Sequence, residues 1–190
     1  MKTILICNQK GGVGKTLIAD EIAFALDRAD IPYNFYDLDN QGGSIHEHIE
    51  REDAKFNIVD TPGALRKELV QWMKEADLII IPTKMSPRDI PPLETMITMV
   101  KGEEIKAPVL YVLNCWNHYR ASADFEEWFR ETYPENKTVI LPQSEIFIQA
   151  ATVSKSVCEY RANSFPAEQV QKLIGIVESE LNTNFSRKKG

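Results

Sequence analysis

A glycine-rich turn between an apolar run and an amphipathic segment constrains the fold of this chain more than any other feature. The run Ile4-Leu5-Ile6-Cys7 leads into the turn Lys10-Gly11-Gly12-Val13-Gly14-Lys15-Thr16, and apolar residues then recur at helical spacing. A strand, a tight turn and a helix N-terminus in this order direct backbone N–H groups and the positive end of a helix dipole to one place. Because such a place favours a bound phosphate, the pattern predicts a phosphate-binding loop.

Two lysines in this loop have different expected roles. Lys15 is at the position from which such a loop reaches the β- and γ-phosphates of a nucleotide, and the Thr16 hydroxyl is placed to ligate Mg²⁺. The common form of the loop has glycine at the position of Gln9, and in this chain a second lysine, Lys10, follows that position. The turn could also be only a mobile loop, but the strand before it and the amphipathic segment after it favour phosphate binding.

The length, hydropathy and charge of the chain limit its class. A chain of 190 residues suits one α/β domain, and because the first strand is predicted to begin near Thr3, we expect one domain over residues 1–190 without an N-terminal operator-binding domain. No apolar stretch approaches the ~18 residues of a membrane span, and no signal peptide is evident, so we expect a cytoplasmic protein. A formal net charge of −6 gives no overall attraction to nucleic acid.

Cysteine and histidine give no sign of a metal or cluster site. An odd number of cysteines without C-x-x-C spacing indicates reduced packing thiols, and this argues against iron–sulfur reductases with a similar loop. His46 and His48 are two residues apart, so they would not share a helix face, and His118 stands alone. The cysteines are Cys7, Cys115 and Cys158.

Strand and helix patterns alternate along the chain. Strands are predicted near residues 3–8, 34–38, 56–60, 78–82, 109–113 and 138–141, and helices over residues 17–29, 65–76, 93–101 and 123–132 and around 170–181. The run Leu78-Ile79-Ile80-Ile81 is apolar throughout, as in a parallel sheet covered on both faces. The pattern predicts a doubly wound α/β fold with a mainly parallel sheet, helices on both faces and ligands at the carboxyl ends of the strands.

Acidic residues follow the second and third strands. Asp37 and Asp39 would lie on the same side of their strand, and two carboxylates near a triphosphate require a cation or water between them. Asp60 ends the third strand, where an acid can hold Mg²⁺ while Thr61 to Gly63 form a loop able to sense a γ-phosphate. Alternatively, Asp37 and Asp39 are turn residues at a strand end.

The ends of the fourth and fifth strands each leave two interpretations open. The proline-rich stretch 85–92 has two interpretations. It either forms a stiff loop that lines the pocket for a nucleotide base or starts the helix that follows it. Asn114 follows the fifth strand, where its carboxamide can either bind one adenine edge or satisfy loop backbone groups.

The loop at residues 10–16 resembles the deviant phosphate loop of the ParA/MinD family of ATPases. Residues 37–43 are similar to the family's D-x-D-P-Q-G element, with Asn40 in place of proline, and residues 85–92 are similar to its P-x-x-P-S-x-x-D stretch. Residues 143–160 resemble the family's region before the last helix. The resemblance covers most of the chain and is closest to small ParA-type plasmid and chromosome partition proteins.

The resemblance implies a P-loop ATPase with weak basal activity that binds Mg·ATP, closes into a sandwich homodimer and binds DNA without sequence preference. A ParB-like or small DNA-binding adaptor protein would stimulate hydrolysis, and the ATP-bound form would associate with the nucleoid to segregate DNA. Lys10 would cross the dimer to the other subunit's phosphates, much as an arginine finger does, and Asp39 would position the attacking water. The implied site consists of nucleotide ligands Gly11, Gly12, Val13, Gly14, Lys15, Thr16 and Asn114, metal ligands Thr16, Asp37 and Asp60, and catalytic residues Lys10, Lys15 and Asp39.

Basic residues of the C-terminal region are candidate DNA contacts, because family members carry such contacts there. For any one of them, ordinary solvated charge is the better explanation. The candidates are Lys155, Arg161, Lys172, Arg187, Lys188 and Lys189.

Three features depart from the family pattern, and two other functions stay open. Leu17 replaces a Thr or Ser near the α-phosphate, Asn40 replaces proline, and only 23 positions separate Asp37 from Asp60 (60 − 37), where family members place additional helices. A MinD-like membrane cycle would need a C-terminal amphipathic helix, yet after Leu181 only Phe185 is strongly apolar. A metabolic P-loop enzyme of the dethiobiotin-synthetase type would use the same fold for substrate chemistry.

Overall fold

A computed structural model describes residues 1–38, 43–63 and 67–185, and six strands in it form one parallel sheet. The strand order is β2-β3-β1-β4-β5-β6. The strands are β1 (Lys2–Ile6), β2 (Tyr33–Asp37), β3 (Phe56–Asp60), β4 (Leu78–Lys84), β5 (Val109–Trp116) and β6 (Lys137–Pro142). The predicted doubly wound α/β fold is confirmed, and every strand pair in the described sheet is parallel.

The helices cover both faces of this sheet. They are α1 (Lys15–Arg28), α2 (Lys67–Glu75), α3 (Ile90–Gly102), α4 (Arg120–Thr132), α5 (Glu145–Thr152), α6 (Val157–Tyr160) and α7 (Phe165–Glu180), with a short 3-10 turn at Pro87–Asp89 before α3. Residues 143–160, which resemble the family's region before the last helix, contain the two short helices α5 and α6, for which the sequence pattern gave no bounds. In the described part of the chain, no helix is long and apolar enough to cross a bilayer.

Local sequence explains where the helices begin. Pro91 and Pro92 lie in the first turn of α3, where a missing N–H costs nothing, as the helix-start interpretation of these prolines requires. The start predicted at residue 93 was therefore three residues late. Ser156 and Glu159 form a capping box at the start of α6, and the Ser164 hydroxyl accepts from Ala167 N–H at the start of α7.

The core consists of two apolar layers, one on each face of the sheet. Ile4 and Ile6 of β1 pack on the side of α1 and α7, whereas Leu5 packs on the side of α2, α3 and α4. Because successive strand residues face opposite ways and both faces are covered, the strands are apolar throughout. All three cysteines are free thiols, and burial raises the pKa of the Cys7 thiol, which therefore stays protonated within this core.

The strand order places the end of β1 at the centre of the molecule. Strands β2 and β3 lie to one side of β1, and β4, β5 and β6 lie to the other. The chain therefore changes its direction across the sheet at β1. In sheets of this kind ligands bind outside the carboxyl ends of the strands at such a point, so the glycine-rich turn after β1 lies where a ligand is expected.

The described part of the short connection between β2 and β3 contains no helix and is held against α1. Residues 43–55 form one antiparallel bridge, Phe35 to Ile49, and the buried Asp20 carboxylate accepts from the Ser44 hydroxyl and from the backbone N–H groups of Ile45 and His46. The His46 ring lies 2.7 Å from Asp20 through Nδ1 and 3.3 Å from Asp27 through Nε2. Polar bonds to one helix therefore hold this segment.

Candidate functional site

The glycine-rich turn passes into α1 at a glycine that no other residue can replace without strain. Gly14 is the N-cap of α1 with φ +99°, a left-handed conformation that residues with a Cβ atom rarely adopt. A Cβ atom at this position would also lie 2.2 Å from Asn114 Nδ2. Lys15 and Thr16 then begin the helix, whose first-turn N–H groups have no partners within the helix and can bind an anion.

Asn114, at the carboxyl end of β5, braces this turn from the side. Its Nδ2 donates to the Val13 carbonyl at 2.8 Å, and its Oδ1 accepts from Cys115 N–H at 2.8 Å. The side chain is buried, and these bonds are the backbone contacts that one of the two interpretations anticipates. Because a carboxamide has a second N–H and a second lone pair, the adenine contact stays a prediction.

The predicted metal ligands lie at the N-terminus of α1 and at the carboxyl ends of β2 and β3. Thr16 Oγ1 donates to Asp60 Oδ2 at 2.6 Å, and Asp60 is fully buried. Asp37 is the register partner of Asp60, so both carboxylates lie at the same end of adjacent strands. Asp39 and Asn40 are outside the described residues.

This group of oxygen atoms fits Mg²⁺. Magnesium prefers hard oxygen ligands and is held in nucleotide sites by one or two carboxylates together with substrate phosphates. Thr16, Asp37 and Asp60 provide a hydroxyl and two carboxylates at one edge of the sheet. Within the described chain no group of three or more His, Cys, Asp and Glu side chains is placed to hold a metal ion.

The two lysines of the turn are held in different ways. The Lys15 side chain is buried and its Nζ lies 3.4 Å from the Lys10 carbonyl, so it folds back across the turn itself. Lys10 Nζ lies 2.7 Å from Asp89 Oδ1 and donates to the Arg88 carbonyl at 3.2 Å. The Lys10 side chain is 33% exposed and that of Asp89 only 3%. A partly exposed cation is thus bound to a buried acid of the same chain.

Asp89 is not among the site residues predicted from the sequence. The signal was present, because Asp89 is the acidic position of the 85–92 stretch whose similarity to a family motif was noted for its prolines. In the structure Asp89 ends the 3-10 turn before α3, and its second oxygen accepts from the Ser86 hydroxyl. The short turn therefore fixes the carboxylate that receives Lys10.

Residues that follow β1 and β3 fix the first half of the turn. Asn8 is buried, donates through Nδ2 to the Pro82 carbonyl at 2.7 Å and accepts the Lys10 N–H through Oδ1 at 2.8 Å. A Cβ atom on Gly63 would lie 3.1 Å from the Gln9 carbonyl oxygen and 3.3 Å from Gly11 N. The Asp-Thr-Pro-Gly segment after β3 thus packs directly against the beginning of the glycine-rich turn.

A third lysine, which is not among the residues predicted from the sequence, lies beside the turn. Lys84 ends β4 and is the register partner of Asn114 in β5. Its Nζ lies 4.0 Å from the point that a Cβ atom of Gly12 would occupy, and its side chain is exposed. The only signal in the sequence was a lysine shortly after the predicted end of the fourth strand, and the structure extends β4 to include it.

The candidate DNA contacts lie in different parts of the structure. Lys155 is exposed and borders a small cavity of about 160 Å³ together with Thr16 and Leu17. Arg161 is exposed at the end of α6. Lys172 lies on α7, 2.9 Å from Glu168, in a separate groove along β6. The remaining candidates, Arg187, Lys188 and Lys189, are outside the described residues.

Comparisons with known proteins agree with this fold and this turn. The model of the CobQ/CobB/MinD/ParA nucleotide binding domain matches residues 4–184. Sequence comparison with curated proteins gives no match.

Several solved structures share the fold at low sequence identity. A variant of McdA from Cyanothece in complex with ATP superposes with a TM-score of 0.78 at 17% identity, over 97% of each chain. The septum site-determining protein MinD from Pyrococcus horikoshii with Mg-ADP has a TM-score of 0.68 at 14% identity, over 93% of this chain and 96% of that one. A ParA family ATPase from Chlorobium tepidum has a TM-score of 0.70 at 15% identity, over 90% and 96%. Since the family model spans nearly the whole chain, the protein belongs to the CobQ/CobB/MinD/ParA nucleotide-binding domain family.

Proposed function

We propose that this protein is a ParA-like partition ATPase. It binds Mg·ATP, forms a nucleotide-sandwich homodimer, binds DNA without sequence preference, and hydrolyses ATP when a ParB-like or small adaptor protein stimulates it. The observation that carries the proposal is the difference between the two lysines of one turn. Lys15 is folded into the turn, while the Lys10 ammonium group is bound outside it by Asp89. A cation held outside the phosphate cradle of its own chain is available for the phosphates of a second copy.

Within one subunit, the residues of the turn bind and orient the nucleotide. Backbone N–H groups at the start of α1 and the Lys15 ammonium group receive the phosphates. Thr16, Asp37 and Asp60 hold the metal ion, which neutralises charge on the β- and γ-phosphates when bound. Asp39 orients the attacking water.

Lys10 must exchange one partner for another before it can act across a dimer. Its ion pair with Asp89 has to break, and Asp89 then stays buried without this cation. An exposed ion pair contributes at most about 1 kcal/mol, whereas a buried unpaired carboxylate costs more. The phosphates of a second subunit carry several negative charges, so they outcompete a single carboxylate. Dimerisation therefore depends on a bound nucleotide.

DNA binding requires the dimer for a reason of charge. The monomer carries a formal net charge of −6 and is repelled by a polyanion overall. A two-fold dimer brings the same exposed basic residues of both copies to one side, and their joint contact with phosphates releases counterions. Lys155 and Arg161 are exposed in the described chain and are the candidates for this contact.

One experiment tests the whole proposal. Self-association and binding to an unrelated DNA duplex are measured by light scattering and anisotropy with no nucleotide, Mg·ADP, Mg·ATP and a slowly hydrolysed ATP analogue. We expect a dimer and DNA binding only with the triphosphates. Protein that ignores DNA at low salt and binds anionic liposomes with ATP would instead be MinD-like. Protein that stays monomeric with ATP would support a metabolic enzyme.

A further inference from the structure

We propose that Lys84 is an additional ligand for the terminal phosphate of ATP, supplied by the same chain that holds the nucleotide. This inference rests on the proposed function, because it assumes that the glycine-rich turn takes ATP. It assigns a residue at the end of β4 to the phosphate site, in addition to Lys15 and Lys10.

The position of Lys84 follows from the register of the sheet. Lys84 and Asn114 are paired residues at the ends of β4 and β5, and paired residues of parallel strands present their side chains on the same face. Asn114 reaches the Val13 carbonyl, and the Lys84 Nζ atom lies 4.0 Å from the Cβ position of Gly12. The two side chains therefore lie against consecutive residues of the turn.

The charge of Lys84 is uncompensated in the described chain. Lys10 lies beside the Asp89 carboxylate, whereas for Lys84 no carboxylate of a described residue lies within 4.0 Å of its ammonium group. The side chain is exposed to solvent. An unpaired cation at the rim of a concave site raises the local positive potential, which attracts a polyphosphate.

The neighbours of Lys84 indicate which phosphate it contacts. Gly63, in the loop after β3 that is placed to sense a γ-phosphate, packs against Gly11, and Lys84 lies beside Gly12. Gly63 and Lys84 therefore flank the first half of the turn. The α-phosphate belongs at the other end, towards the N-terminus of α1. Lys84 thus lies on the side of the terminal phosphate.

The test compares the affinities for ATP and ADP in three variants at a protein concentration that keeps the chain monomeric. Lys84→Gln removes the charge and keeps the length, and Lys84→Arg keeps the charge. The control Lys106→Gln removes another exposed lysine, which precedes β5 and so lies at the amino ends of the strands. We expect Lys84→Gln to bind Mg·ATP about tenfold more weakly, as the loss of one charged hydrogen bond predicts. Its ADP affinity should stay within about twofold, and both control variants should match the wild type.

A second measurement separates a phosphate contact from a structural role. The salt dependence of ATP affinity should become shallower in Lys84→Gln, because one fewer cation attracts the nucleotide, while thermal unfolding without nucleotide stays the same. Unchanged ATP affinity, or equal weakening of ATP and ADP, overturns the assignment of Lys84. If wild-type protein itself fails to bind ATP, the proposed function is wrong, and the two failures are thereby distinguished.

Discussion

Lys10 and Lys15 lie five residues apart in one turn and are bound in opposite ways. Lys15 is buried and contacts a carbonyl of the turn, so its charge stays where a phosphate would sit. Lys10 contacts Asp89 and the Arg88 carbonyl, which belong to a segment that begins after β4. The same residue type thus has two environments, because the buried acid near position 10 comes from a distant part of the chain.

The contact between Lys10 and Asp89 predicts how a variant dimerises. Asp89→Asn keeps the shape of the side chain but removes its charge, so Lys10 no longer has to break an ion pair before it reaches another subunit. We expect ATP-driven dimerisation at a protein concentration at least about fivefold lower, because breaking the pair costs about 1 kcal/mol or more when it leaves the buried Asp89 carboxylate without its cation. Analytical ultracentrifugation with the slowly hydrolysed ATP analogue measures the protein concentration at which the dimer forms.

Two further variants complete this comparison. Asp124→Asn removes a carboxylate from the exposed pair with Arg120 on α4 and should leave dimerisation unchanged. Lys10→Ala should bind ATP but lose hydrolysis stimulated by the partner protein. Asp89→Asn protein that needs more ATP or more protein to dimerise would contradict the idea that Asp89 retains Lys10 in the monomer.

The junction between the turn and α1 depends on two residues from separate elements. Gly14→Ala should destabilise the protein by about 2–4 kcal/mol, because the new Cβ atom would meet Asn114 Nδ2 at 2.2 Å in a left-handed backbone conformation. The double variant Gly14→Ala/Asn114→Ala should recover part of this loss, since the steric clash is gone while the backbone strain remains. Urea unfolding measures both free energies.

Glycines elsewhere supply the control for that prediction. Gly175 lies in α7 with no atom within 4 Å of its Cβ position, so Gly175→Ala should stabilise the helix by about 0.5–1 kcal/mol. If Gly14→Ala is as well tolerated as Gly175→Ala, the close approach of Asn114 to the turn is wrong.

The segment after β2 is attached to α1 through a charge that depends on pH. Burial opposes protonation of His46, but its hydrogen bonds to Asp20 and Asp27 outweigh that effect and raise its pKa to about 9. Because this value is above the unfolded pKa of about 6.5, the stabilisation is complete below about pH 6.5 and is lost as the pH rises through about 9. The loss is up to about 3 kcal/mol.

Denaturant unfolding of two histidine variants between pH 6 and pH 10 checks this. His46→Gln should flatten the decline in stability over that range. His48→Gln changes a histidine that is exposed and two residues away, so it should keep the decline of the wild type. A wild-type stability that is constant from pH 6.5 to pH 9 would show that His46 is not held as an imidazolium ion.

For the molecule as a whole, the contrast between a negative net charge and two exposed basic residues predicts how DNA binding depends on salt. Lys155→Ala/Arg161→Ala should weaken binding of the ATP-bound dimer to all DNA duplexes alike and lower the slope of log affinity against log salt by about 2 per chain. ATP-driven dimerisation should not change. Lys106→Gln is the control, because Lys106 precedes β5 and therefore lies at the amino ends of the strands. An unchanged salt slope would exclude these two residues from the DNA contact.

Patterns that are local in the sequence predicted most of the architecture. The alternation of apolar strands and amphipathic segments is set by the period of each element, so it identified the six strands and the parallel fold. The glycine-rich turn was recognisable because a strand, the turn and a helix are consecutive in the chain. Helix starts were less accurate, since the first turns of α3 and α4 are polar or proline-rich and carry little apolar periodicity.

Contacts between distant segments were decided by the tertiary structure alone. Lys10 meets Asp89, Asn114 meets Val13, and His46 meets Asp20, although 26 to 101 positions separate the two residues of each pair. No periodicity encodes such pairs, because they arise only when the crossovers of the sheet bring strand ends to one edge. The sequence by itself therefore determined the strand, the glycine-rich turn and the helix of the candidate phosphate site, and the packing of β4, β5 and α1 around the turn determined how each charged side chain is held.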